Sequence, residues 1–141
     1  MALTSPSRNL AIRAHFGAEK HALALPVLYF ALFNGQPDSA GVEPSGVGGY
    51  ARVARSNDAD LWGNFTAADS SAVNKGAGGA IVWPAASGLW SVASVNHWAI
   101  FDNSAGGVLW YWGKLGAPLA LTGAGDVVQL PASTLTITQA A

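Results

Sequence analysis

The sequence predicts a mainly β protein, an antiparallel β-sandwich or barrel of jelly-roll type with a short N-terminal helix. Three observations carry this expectation. Short apolar runs rich in Val, Ile, Trp, Tyr and Phe recur through the second half. Turn residues separate them about every 8–12 residues, the spacing of sandwiches and barrels. A helix signal is confined to the first residues, so 1–25 reads as a helical arm and 26–141 as a single β domain.

In the arm, Ser5-Pro6-Ser7 reads as a helix start, with Ser5 as N-cap and Pro6 at the first helical position. Leu10 and Ala14, and Ile12 and Phe16, then fall at i, i+4 spacing, and Gly17 is a plausible stop. This gives a helix over 6–16, extensible to Ala22. From Pro26 the pattern changes. The run Val27 to Phe33 is continuously apolar, as expected of a strand covered on both faces. Asn34-Gly35 is a turn pair, and 36–49 is a Gly- and Pro-rich loop. Tyr50 to Arg55 alternates, placing Tyr50 and Arg52 on one face of an expected strand. Residues 57–79 read as a long loop with a short strand near Leu61. Further strands are expected at Ala80–Trp83, Trp90–Phe101, Val108–Trp112, Pro118–Leu121, Val127–Leu130 and Leu135–Thr138. Asp102 to Gly107 is the strongest turn among them.

The composition narrows function. Apolar residues make up 50% of the chain and charged residues 11%, against about 25% charged in ordinary globular domains. A surface this poor in charge is suited to being covered by neighbours. Seven basic and eight acidic residues leave a net charge of −1 with no basic stripe, so nucleic acid is not an expected partner. No run reaches the ~20 apolar residues of a membrane helix, and the start does not read as a signal peptide. No membrane partner and manufacture in the cytoplasm without export are therefore expected. The chain has no cysteine, which removes disulfides and thiol chemistry.

The titratable residues do not assemble into a site. His15 and His21 lie six apart, which does not stack them on a helix, and no metal is expected. His97 reads as a strand residue beside Trp98. Asp38, Asp58, Asp60, Asp69, Asp102 and Asp126 fall in turns, where Asp usually bonds nearby backbone. No serine sits in a nucleophile motif, and neither Gly-rich stretch matches a phosphate loop. Asn64-Phe65-Thr66 is a formal glycosylation sequon that an unexported chain would not use. No cofactor and no enzymatic activity are expected.

Tryptophan is the richest chemical feature. Trp83, Trp90, Trp98, Trp110 and Trp112 lie within one short stretch. They read either as a stacking surface for carbohydrate or as packing, inside the fold or between subunits. Packing is preferred, because aromatic side chains dominate both kinds of interior. The candidate packing or interface residues are Leu10, Phe16, Trp90, Trp98, Trp110 and Trp112.

Several short motifs occur in a fixed order. They are Ala31-Leu32-Phe33, Glu43-Pro44-Ser45-Gly46, Gly48-Gly49-Tyr50-Ala51-Arg52, Trp83-Pro84-Ala85-Ala86-Ser87-Gly88 with Trp90, and Asn96-His97-Trp98-Ala99-Ile100-Phe101-Asp102. Gly106-Gly107-Val108-Leu109, Gly113, Gly125-Asp126 and Leu135-Thr136-Ile137 follow. Over roughly residues 8–138 this succession resembles a family of small tailed-phage structural proteins commonly labelled phage tail fibre proteins. Trp110 and Trp112 depart from it, standing where simpler aliphatics are expected. The resemblance implies a virion structural protein. Its leading form is a capsid decoration or cement protein that touches the major capsid protein or other virion proteins. A homo-oligomer is expected, with a trimer inferred from icosahedral threefold positions rather than from the residues. A tail or head fibre component contacting the host is the alternative. A carbohydrate-binding module with exposed Trp is the alternative of another class.

Overall fold

The computed structural model describes residues 15–17, 24–65, 69 and 71–138. The helix expected over 6–16 lies outside them except for its last two residues, of which His15 is helical. Among the described residues the protein is mainly β. The strands are β1 (Val27–Phe33), β2 (Val53–Ser56), β3 (Ser71–Val73), β4 (Ile81–Val82), β5 (Ser94–Phe101), β6 (Leu109–Ala120), β7 (Gln129–Leu130) and β8 (Thr136–Thr138). They form one four-stranded sheet in the order β2-β1-β5-β6 and two pairs, β3-β8 and β4-β7. Of these neighbours, β1 and β5, β5 and β6, and β3 and β8 pair antiparallel. The contacts divide the chain into two compact units. One comprises residues 28–55 and 81–129, the other residues 1–27, 56–80 and 130–141.

The first unit holds most of the four-stranded sheet. In β1 the side chains of Leu28, Phe30 and Leu32 on one face and of Ala31 and Phe33 on the other are all buried. The continuous apolar run is therefore covered on both sides, as its pattern predicts. Antiparallel pairing sets Ala31 opposite Ala99, with Phe33 and Phe101 one step away on either side. The two alanines leave room above them, and the Phe33 and Phe101 rings stack there with centroids 6.0 Å apart. Such a pair adds about 0.5–1.5 kcal/mol beyond its buried area.

β6 occupies one edge of this sheet. Its pairing with β5 slips twice. Phe101 faces Leu109 while Ile100 faces Tyr111, so Trp110 is the extra residue of a bulge. Val95 faces Leu119 while His97 faces Lys114, so residues between 114 and 119 loop out of register. Pro118, which cannot donate to a ladder, sits in this second irregularity. The two strands expected at 108–112 and 118–121 are therefore one strand, because the slack absorbs Gly116 and Pro118 without ending it. A second expectation also changes. The strand expected from Tyr50 begins only at Val53, because Tyr50 and Arg52 are held by side-chain bonds described below.

The second unit is organised by two buried asparagines. Asn57 is 1% exposed. Its Nδ2 donates to the carbonyls of His15 (2.7 Å) and Leu25 (2.9 Å), and its Oδ1 accepts from Gly17 N (3.0 Å) and Trp62 Nε1 (2.9 Å). Phe16 packs edge-on against Trp62 with centroids 5.0 Å apart. Asn74 is fully buried. Its Nδ2 donates to Gly79 O and Pro131 O, and its Oδ1 accepts from Leu135 N at 2.8 Å. These bonds prolong the β3-β8 ladder, in which Val73 faces Thr136. The strand expected near Leu61 is instead a four-residue helix, Ala59–Trp62. Asp58 caps it by accepting from Asp60 N at 3.1 Å.

Candidate functional site

Two features of the sheet unit stand out. The first is the outer strand β6. Its residues alternate between exposed and half-buried from Leu109 to Gly116. Trp110 is 43% exposed and Trp112 is 38% exposed, and Lys114 continues the exposed side. Val108, just before the strand, is also exposed. The His97 ring of β5 lies 5.8 Å from Trp112 and steadies one flank of it. Partial burial and the approach of Lys114 hold the His97 pKa below its ordinary value, which favours the neutral ring. On the opposite face Trp98 lies over Gly113, where an added Cβ would stand 2.6 Å from the indole. Gly113 is thus the position that lets a buried indole cross to the edge strand.

The second feature is a polar clamp. Arg52 Nε and Nη2 donate to the two carboxylate oxygens of Glu43, each at 2.8 Å. Its Nη1 donates to Asn103 O (2.9 Å) and Gly106 O (2.7 Å), which ties down the β5–β6 turn. The guanidinium carbon lies 3.7 Å from the centroid of Phe101, a cation–π stack. The Tyr50 hydroxyl donates to Glu43 Oε1 (2.8 Å) and accepts from Leu32 N of β1 (3.1 Å). Burial, then the neighbouring Glu43 charge, pushes the Tyr50 pKa far up, so the phenol stays neutral. The bonds to Glu43 also raise the Arg52 pKa. Trp90 packs edge-on to Tyr50 at 5.0 Å. Gly48, at φ 74°, presses against the carbonyls of Gly88 and Leu89, where no side chain fits. Ser87 N in turn donates to Gly48 O at 3.0 Å.

A shallow recess of about 310 Å³ lies beside the clamp, lined by Glu43, Tyr50, Arg52 and the Ser104–Gly106 turn among others. Glu43 and Arg52 are committed to each other there, so the recess offers little free charge to a ligand. Among the described residues no group of three His, Asp or Glu converges as a metal site would require. No helix among them is long and apolar enough to cross a membrane.

The candidate packing residues therefore separate. Leu10 lies outside the described residues. Phe16 is buried in the second unit, while Trp90 and Trp98 are buried in the sheet unit. Trp110 and Trp112 alone among the five described candidates are exposed, and they lie together. Glu43, Tyr50 and Arg52 were legible only as parts of short motifs, since the eight residues between Glu43 and Arg52 have no period to read. Asn57 and Asn74 gave no signal, because an Asn in a polar stretch usually faces water.

Several of the motifs that carried the family resemblance, those holding Leu32, Glu43, Tyr50, Arg52 and Gly106, meet at this clamp. Among curated proteins none matches the chain. The family model described as podophage GP4 fiber I protein gp80 matches residues 8–138. The chain belongs to this phage fibre protein family.

Proposed function

We propose that this chain, a structural component of the virion by its family, works by packing β6 against a neighbouring virion protein, without catalysis. The observation that carries this reading is the pair Trp110 and Trp112, half-exposed on an edge strand whose one charge is Lys114. Monomeric proteins protect sheet edges with charge, Pro or cover. On β6 Lys114 and Pro118 lie beyond the pair, while the Leu109–Trp112 stretch carries neither charge nor Pro, and aromatic residues anchor protein interfaces. The family description supports placing the chain in a fibre or at its attachment.

A decoration or cement subunit bound to the major capsid protein is the second reading. It is favoured by the absence from the sequence of the repeats or heptads that fibres usually carry. A homotrimer belongs to that reading and rests on capsid symmetry. Mass spectrometry of separated heads and tails, with copy number, decides between them. Hundreds of copies on heads would establish decoration; a small number on tails would establish the fibre. The exposed Trp pair also suits a sugar ring. Titration of host glycans against Trp fluorescence is expected to give no change, and a saturable response would replace packing with carbohydrate binding.

A further inference from the structure

We propose that Asn34 is a site of spontaneous deamidation in this chain and that Asn96 sets its rate by holding the Gly35 amide. Asn34-Gly35 is the sole Asn-Gly pair in the sequence. Deamidation begins when the backbone nitrogen of the following residue attacks the side-chain carbonyl carbon, and glycine offers no side chain to obstruct that approach. A bond forms between Gly35 N and Asn34 Cγ, and the Cγ–Nδ2 bond breaks. The Gly35 amide proton passes to solvent hydroxide, and Nδ2 takes a proton from water as it leaves as ammonia, which returns the hydroxide. Water then opens the cyclic imide at either carbonyl and leaves aspartate or isoaspartate. Water and hydroxide are the only co-reactants.

Asn34 is exposed just beyond β1, so solvent reaches it. Three contacts oppose the attack. Gly35 N donates to Asn96 Oδ1 at 2.8 Å. Asn34 Nδ2 donates to Ser94 O at 2.9 Å. The Asn34 backbone is paired both ways with Val42, at 2.9 and 2.7 Å. The first contact matters most, because it occupies the attacking nitrogen. Asn96 Oδ1 also lies 2.7 Å from His97 Nδ1, which fixes the orientation of the amide. Conversion would replace the donor to Ser94 O with a carboxylate, and isoaspartate would add a methylene to the backbone beyond β1.

The test is to age the full-length protein at mildly alkaline pH and follow the peptide containing Asn34 by mass spectrometry. Asn103-Ser104, in an exposed turn, serves as an internal reference. Asn96→Ala is expected to convert at Asn34 roughly three- to tenfold faster than wild type, the factor one ordinary hydrogen bond represents. Asn103 should be unchanged. Asn96→Asp keeps an acceptor for Gly35 N and should stay near the wild-type rate. Equal rates in wild type and Asn96→Ala would overturn the proposal, as would equal acceleration at Asn103 or an Asn96→Asp variant as fast as Asn96→Ala.

Discussion

At Asn57 one side-chain amide satisfies two backbone carbonyls, one backbone N–H and the Trp62 indole. Replacing it with Ala leaves several buried polar groups without partners, each costing about 1–3 kcal/mol. Asn57→Ala is expected to lower unfolding stability by at least about 2 kcal/mol, read as a drop in the denaturant midpoint. Asp126 illustrates a pH effect. Its carboxylate accepts from the Thr122 hydroxyl (2.7 Å), Thr122 N (2.5 Å) and Gly123 N (3.1 Å). These bonds, the Thr122 hydroxyl first, hold its pKa below the ordinary Asp value. The folded chain therefore binds this proton less readily than the unfolded chain. The stabilisation is fully present above the ordinary Asp pKa of about 3.9 and is lost as pH falls through the lower folded value. Asp126→Asn should lose that part of the acid dependence in denaturant titrations over this window. An unchanged profile would refute the assignment.

At the scale of elements, β5 and β6 are locked by an indole over a glycine. An Ala Cβ at position 113 would meet the Trp98 ring, and Trp98 is buried. Gly113→Ala is expected to cost about 1–3 kcal/mol by overpacking and to alter the near-ultraviolet circular dichroism of Trp98. An unchanged melting temperature would show that β6 shifts freely. The same elements show what local sequence discloses. Val27–Phe33, the core of β5 and the Asp102–Gly107 turn were legible, because continuous apolarity and turn chemistry are local properties. The helix at Ala59–Trp62 was not, since four residues are too few to display a period. Pro118 looked like punctuation because the bulge that accommodates it depends on the partner strand. Alternation placed Trp110 and Trp112 on one side of a strand. It could not say which side of the sheet is covered, since that is decided by residues distant in sequence. Glu43 and Arg52 meet for the same nonlocal reason.

At the scale of the whole molecule, scarce charge and an open aromatic edge point the same way. With only seven basic and eight acidic residues, little electrostatic repulsion opposes association. The double variant Trp110→Ser, Trp112→Ser should change the stability of the isolated chain by no more than about 1 kcal/mol, because both sites are exposed. Its incorporation into particles should fall sharply, since truncating an interface aromatic commonly costs about 2 kcal/mol or more in binding. Copy number per particle in a complementation assay measures this. Wild-type occupancy by the double variant would remove β6 as the contact. Arg52→Lys separates the clamp from the edge. It loses the two-pronged bond to Glu43 and should cost about 1–2 kcal/mol of stability, while particles assembled below its melting temperature keep normal occupancy.

The fork between Glu43 and Arg52 also has a bearing on descent. Loss of either partner alone leaves a largely enclosed charge unmatched, a state worse than the intact pair or an apolar replacement of both. The disfavoured genotype is therefore the intermediate one. Positions 43 and 52 should be inherited as one character, changing together or not at all as the family diverges. A set of relatives in which one changes while the other stays would contradict this.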